Sequence, residues 1–358
     1  MYQYQNVCIE SFGYTVPQEV WTSAEIEQKL APLYQRLRLP AGRLELMTGI
    51  ESRGFWPPET QPGQISVISC SQALMAADFD PTEIGCLIHG SVCRDHLEPA
   101  TACSVHHHLG LPAHSLIFDV SNACLGILAG MIQAANMIEL GQIKAALVVG
   151  SEGGRQLVEH TINTLNRDTG LTRKTSKQAF ASLTIGSASC AVLLAHRSLS
   201  RTQNRLNSAS VRAHTQFHDL CQSHQDQAGA GMVPLMETDS EALLNEGVAT
   251  GVATMQQWLS SLNSDIKRFN RTVCHQVGSA HRKLMLESLN IDPQIDFPTF
   301  SWLGNTGSAA APISMAIACQ QGFIRSGDRV GLLGIGSGIN CIMMEIEWQT
   351  NQVSGTKY

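Results

Sequence analysis

The chain is short of charge, of aromatic side chains and of long apolar runs, and each shortage excludes a class of protein. Of its 358 residues 15% are charged and 6% aromatic, against 43% hydrophobic and 30 glycines. A disordered or fibrous chain has a different balance, so a largely buried α/β enzyme is expected, with disorder only in the last few residues. Nowhere do eighteen apolar residues run together, which excludes an integral membrane helix. The start Met1-Tyr2-Gln3-Tyr4-Gln5-Asn6-Val7 has neither the basic nor the apolar region of a secretory signal, so a cytoplasmic location is expected. Positive charge is short too. With a formal net charge of -6 no global field draws nucleic acid, and none is expected as a partner. Eleven cysteines are present, but no Cys-x-x-Cys pair, and their odd number argues for reduced thiols over a disulfide framework.

Reactivity is thus open to one thiol, and position selects Cys124. The apolar stretch Phe118-Asp119-Val120 runs into Ser121-Asn122-Ala123-Cys124-Leu125-Gly126, followed by a helical pattern from Ile127 to Leu140 that stops at Gly141. Free N–H groups and the positive end of the dipole at a helix start favour thiolate over thiol. Without partners, such a cysteine reads more simply as a small buried hydrophobe.

The partners come from a repeat. Ile88-His89-Gly90 and Cys274-His275-Gln276 lie 186 positions apart, as do Gly150-Ser151 and Gly336-Ser337. Between these anchors each half runs through strand, small-residue turn, Ala-rich helix, glycine break and apolar strand. Near-continuous apolar strands alternating with helices predict mostly parallel strands covered on both faces. Residues 1–200 and 201–358 are read as the two halves, joined by the polar stretch Ser198 to Asn207. Thr22 to Glu25 forms a capping box before helical sequence that Pro32 interrupts and that ends by Leu39. His214 to Asp239 reads as irregular cover.

His275 and Asn305 both follow apolar strands at turns of small residues, where α/β folds bind ligands. A Cys with His and Asn makes a workable nucleophile set: imidazole moves a proton and an amide donates to a developing oxyanion. Other groupings carry less. His214, His218, Cys221 and His224 lack the paired pattern of a zinc site, and His106-His107-His108 reads as a solvated helix end, so no metal is expected. Gly334-Ile335-Gly336-Ser337-Gly338 follows the last strand and precedes no helix, unlike a nucleotide loop. Arg268, Arg271, Arg282 and Lys283 form a basic group suited to an acidic ligand or carrier, with solvation as the plainer reading.

Taken together, Asn122-Ala123-Cys124-Leu125-Gly126, His275-Gln276, Gly304-Asn305-Thr306-Gly307 and Gly334-Ile335-Gly336-Ser337-Gly338 resemble the thiolase superfamily, particularly its ketoacyl synthase III-type condensing enzymes. Ser91-Val92-Cys93-Arg94-Asp95-His96-Leu97-Glu98-Pro99 and Leu332 to Cys341 make the chain most similar to bacterial olefin-pathway acyl-CoA condensing enzymes. The resemblance implies a duplicated thiolase fold in layered αβαβα form, and a homodimer. By the same resemblance Cys124 is the acyl-accepting nucleophile, His275 and Asn305 complete the catalytic set, and the N–H groups of Cys124 and Ser337 form an oxyanion hole.

Glu98 separates two reactions. By resemblance it reaches into the neighbouring subunit's site as the base that takes a carbon-2 proton, a task suited to a desolvated carboxylate of raised pKa. The implied activity is an acyltransferase that joins two fatty acyl-CoA thioesters by Claisen condensation without decarboxylation. No cofactor is implied beyond the CoA thioesters themselves. Two alternatives remain: a decarboxylative ketoacyl synthase III fed by a malonyl thioester on CoA or acyl carrier protein, and a catalytically silent thiolase-fold partner.

Overall fold

Apolar runs become strands and Ala- and Gly-rich runs become helices in the computed structural model, which describes residues 1–223 and 236–358. The first half supplies Val7–Val16 (β1), Ile84–Gly90 (β2), Leu116–Val120 (β3), Ala145–Glu152 (β4) and Ala188–His196 (β5). The second supplies Arg205–Ala213 (β6), Arg271–Cys274 (β7), Arg329–Gly336 (β8), Asn340–Glu347 (β9) and Val353–Lys357 (β10). They line up as β7-β8-β9-β6 and then β1-β5-β4-β2-β3. Strands β6 and β1 pair antiparallel at Cys8 and Arg205. Where the second half would need a counterpart of β3, a single bridge joins Thr272 and Asp296.

The sheet is mixed, which corrects the expectation of mostly parallel strands. Strand β2 is parallel to β3 and β4, β7 to β8, and β10 to β1. The pairs β4–β5, β5–β1, β8–β9 and β9–β6 are antiparallel. Connection length explains one of them: β8 reaches β9 through residues 337–339 alone, and so short a link joins only antiparallel strands. The Gly334–Gly338 run therefore does not follow the last strand, because β9 and β10 come after it. Nor is the tail disordered, since β10 pairs with β1.

Six helices build the layers: Pro62–Ala77 (α1), Thr101–Leu109 (α2), Gly126–Glu139 (α3), Ser240–Ser261 (α4), Ser279–Leu289 (α5) and Ala310–Gln320 (α6). Helices α3 and α6 share a core with both sheet segments. Water meets neither side of α6, so all its residues from Ala310 to Cys319 are buried. On the outer faces, α1 and α2 cover the first segment and α4 and α5 the second. The result is the layered αβαβα thiolase fold.

Local rules hold at several ends. Helix α3 stops as expected at Gly141, whose φ is 72°. There Gly141 N–H donates to Ile138 O at 3.0 Å and Gln142 N–H to Met137 O at 2.9 Å, the Schellman pattern that a left-handed residue permits. The Thr22–Glu25 capping box is formed. Pro32 lies in the first turn of a second helix, Ala31–Leu37, where its missing N–H costs nothing. The link between halves is shorter than expected because β6 begins at Arg205. Beyond β6, Cys221–Ser223 pairs with Met236–Thr238, while His224 lies outside the described residues. Among the described residues no His, Cys, Asp and Glu group could hold a metal ion, and no helix is long and apolar enough to cross a membrane.

Candidate active site

Cys124 sits in the 3-10 turn Ala123–Leu125, between β3 and the start of α3 at Gly126. Ala123 holds a φ of 45°, a left-handed conformation that a residue with a Cβ adopts only when its surroundings impose it. What imposes it is close backbone packing. A Cβ on Gly126 would stand 2.5 Å from Gly90 O, and one on Gly336 would stand 3.1 Å from Leu125 Cγ and 3.5 Å from Cys124 N. The end of β8 is thereby brought against the Cys124 turn, and Ser337 comes next in the chain.

Asn340 fixes that approach. Its Nδ2 donates to Asn122 Oδ1 at 3.0 Å and to Ser337 O at 3.3 Å, tying the stretch before Cys124 to the one after Gly336. Sequence reasoning gave Asn340 no role beyond its place in the Leu332 to Cys341 string.

The thiol itself departs from expectation. Burial first, then the negative charge of Glu152, pushes the Cys124 thiol up to about 12. Desolvation of the anion outweighs the helix-start field, so the resting group is a thiol. It needs a proton acceptor at the moment of attack.

His275 is the candidate acceptor that the sequence singled out. It follows β7, its N–H donating to Leu333 O at 2.8 Å, and its side chain is buried with no hydrogen-bond partner at Nδ1 among the described residues. Burial, with His281 adding to it, brings the imidazole down to about 3. The ring is therefore neutral at physiological pH. An unpartnered buried ring nitrogen costs about 1–3 kcal/mol, and His281 Nδ1 is in the same position.

Asn305 lies at the turn between the short helix Phe300–Leu303 and the 3-10 turn Gly307–Ala309. Its N–H donates to Thr184 O, its carbonyl accepts from Gly186 N–H, and its Oδ1 accepts from Gly307 N–H at 3.1 Å. Neighbouring Gln276 steadies the same region, its Oε1 accepting from Thr299 and Phe300 N–H. The Gly307–Ala309 turn, which begins two residues beyond Asn305, packs on the Cys124 turn.

Glu98 is elsewhere. It is exposed in the loop between β2 and α2 and makes no hydrogen bond or ion pair among the described residues. Within one protomer it faces solvent; the resemblance puts its desolvation in the neighbouring subunit's site, outside the single chain. The same loop exposes Val92 and Leu97, each 53%, and adjacent β3, whose only sheet partner among the described residues is β2, exposes Leu116.

The basic group dissolves on inspection. Arg268 donates to Glu345, Arg271 pairs with Asp328, and Arg282 is held by Asp296 at 2.6 Å, which leaves Lys283 exposed beside Glu287. The residue that sequence reasoning missed altogether is Glu152, 4% exposed at the end of β4. An acid closing the apolar run Ala145 to Gly150 was the available signal.

Comparisons agree with this architecture. Residues 118–214 match the model of 3-oxoacyl-[acyl-carrier-protein] synthase III, and residues 259–348 that of its C-terminal region. An acyl-CoA:acyl-CoA alkyltransferase of Shewanella oneidensis is 41% identical over 97% of this chain and 100% of its own length. A protein of the same name from Xanthomonas campestris is 34% identical over 96% of this chain and 99% of its own. The crystal structure of a Cys-to-Ser variant of Xanthomonas campestris OleA with bound lauric acid and lauroyl-CoA superposes with a TM-score of 0.90 at 33% identity, covering 96% of this chain and 100% of that one.

Proposed function

This chain belongs to the ketoacyl synthase III-like, olefin-pathway branch of the thiolase superfamily, and on that footing we propose that Cys124, His275, Asn305 and Glu98 carry its reaction. That reaction is acyl transfer with carbon–carbon bond formation: a non-decarboxylative Claisen condensation of two fatty acyl-CoA thioesters to a β-ketoacyl-CoA. The observation that carries the residue assignment is the packing of the Cys124 turn against both Gly336 and the Gly307–Ala309 turn.

In the first half-reaction, Cys124 Sγ attacks the thioester carbonyl as its proton leaves for neutral His275. The N–H groups of Cys124 and Ser337 hold the tetrahedral oxyanion. As the carbon–sulfur bond to CoA breaks, His275 hands the proton to the departing sulfur. In the second, Glu98 of the partner subunit takes a carbon-2 proton from another acyl-CoA, and His275 and Asn305 donate to the enolate oxygen. The carbanion attacks the Cys124 thioester, the bond to Sγ breaks, and the sulfur is reprotonated. Every proton and electron pair is handled by these groups and the two thioesters, so the proposal includes no metal or redox cofactor.

The homodimer and the cytoplasm belong to the same proposal. An apolar edge strand left open is a pairing surface, and β3 with the exposed Val92, Leu97 and Glu98 beside it supports a two-fold contact there. The test is incubation with one long-chain acyl-CoA and no malonyl donor. Free CoA with a β-keto product, or its decarboxylated ketone, is the expected outcome. Acylation of Cys124 that waits for a malonyl thioester would instead assign the decarboxylative reaction.

A further inference from the structure

Glu152 ends β4 where three parts of the protomer meet. Its Oε1 accepts from Val92 N–H at 3.0 Å, Ser308 N–H at 3.2 Å and Ser308 Oγ at 2.6 Å, while Oε2 accepts from Cys93 N–H at 3.2 Å. Val92 and Cys93 begin the loop that carries Glu98; Ser308 stands three residues beyond Asn305. We propose that Glu152 is a positioning residue for the condensation step, holding the Glu98 loop in register with the Asn305 turn through one shared carboxylate. The inference rests on the reading that Glu98 serves the neighbouring subunit's site.

Three features support it. The carboxylate is buried and makes no ion pair among the described residues, so its charge is balanced by aimed donors alone, an arrangement costly to maintain for packing. The turn is shaped to receive it: Gly307 has a φ of 56°, and a Cβ there would stand 3.0 Å from Glu152 Cγ and 3.1 Å from Oε1. The loop is also held at its middle, where Asp95 Oδ1 accepts from Gly63 N–H at 2.7 Å and Asp95 N–H donates to Thr101 Oγ1. Glu152 and Asp95 thus leave the segment with Glu98 to project from a fixed base.

The consequence is a split between the two half-reactions. Acylation uses Cys124, His275 and two N–H groups, whereas only condensation uses Glu98. In Glu152→Gln the amide nitrogen faces a donor, so part of the tether is lost. Losing charge-assisted hydrogen bonds of this kind should slow condensation about tenfold more than acylation, read as β-ketoacyl-CoA formation against the pre-steady-state burst of CoA. Ser308→Ala, which removes one hydroxyl donor and leaves the carboxylate, should give the same split at about threefold. This variant decides the matter if Glu152→Gln does not fold. Equal slowing of both steps, or no slowing, would overturn the proposal.

Mixed dimers separate this inference from its premise. One subunit carries Cys124→Ala, so only its wild-type partner can be acylated. Adding Glu98→Ala to the silent subunit should abolish condensation, and adding Glu152→Gln should slow it. Loss with the first but not the second overturns the role of Glu152. Loss with neither overturns the cross-subunit reading of Glu98, and the proposal with it.

Discussion

His89 and His275 hold the same place in the two halves of the repeat and live differently. His89, in β2, has Nε2 3.2 Å from Ser66 Oγ, at one end of a buried hydroxyl chain through Ser151, Ser189 and Ser69 to Thr15. His275 leaves Nδ1 with no partner among the described residues. The turns that follow show the converse division. Ala123–Leu125 leads into α3 and Gly307–Ala309 into α6, so Ser308 stands where the first half has Cys124. One half keeps the cysteine and ties down its histidine; the other leaves its histidine Nδ1 unpartnered among the described residues and spends its hydroxyl on Glu152. Duplication supplied two similar strand ends, and side-chain partners made them complementary.

That contrast can be broken most sharply at the turns. Cys124→Ala should remove the CoA burst by at least about a thousandfold, and adding Ser308→Cys should restore nothing, because that position is occupied by the Glu152 contact. Recovery of a burst in the double variant would show the turns to be interchangeable.

The histidines come next. His275→Ala should slow turnover by about a hundredfold or more, as for loss of a proton-transfer group, with little change in melting temperature. His89→Ala should do the reverse, costing about 0.5–1.5 kcal/mol of stability by removing the hydrogen bond at the end of the hydroxyl chain while turnover per folded molecule stays near wild type. Denaturant titration beside kinetics checks both.

Proton affinity sharpens the comparison. Alkylation of Cys124 by iodoacetamide should rise with pH toward a midpoint near 12. In Glu152→Gln it should lie lower, because that charge is one of the causes of the elevation. An unmoved midpoint would remove Glu152 from the electrostatics of the thiol.

The smallest effect is on stability. His275 and His281 are lowered by burial to about 3 and about 4, and His89 is lowered too. Between those values and the ordinary imidazole range the unfolded chain binds more protons, so stability is full above about pH 6.5 and falls as pH drops. His275→Asn should flatten that slope, read as the denaturant midpoint between pH 7 and 4.5.

Much of this was legible in residue order. Gly141 as a left-handed stop, Thr22 with Glu25 as a cap, and small residues around Cys124 are local rules, decided within a turn or two of chain. Sheet polarity was less legible, because apolar content does not record strand direction. Arg268, Arg271 and Arg282 looked like a basic surface until Glu345, Asp328 and Asp296, each distant in sequence, took them up.

By itself the sequence determined the duplicated αβ order, the reduced thiols, and Cys124, His275 and Asn305 as candidates, since hydrophobic period, turn chemistry and residue type are properties of short segments. Only the tertiary structure decided that Cys124 rests as a thiol, that His275 is free where His89 is bound, and that Glu152 joins the Glu98 loop to the Asn305 turn. Those depend on burial and on hydrogen bonds between residues far apart in the chain. Desolvation and partner geometry exist only once the two halves have packed.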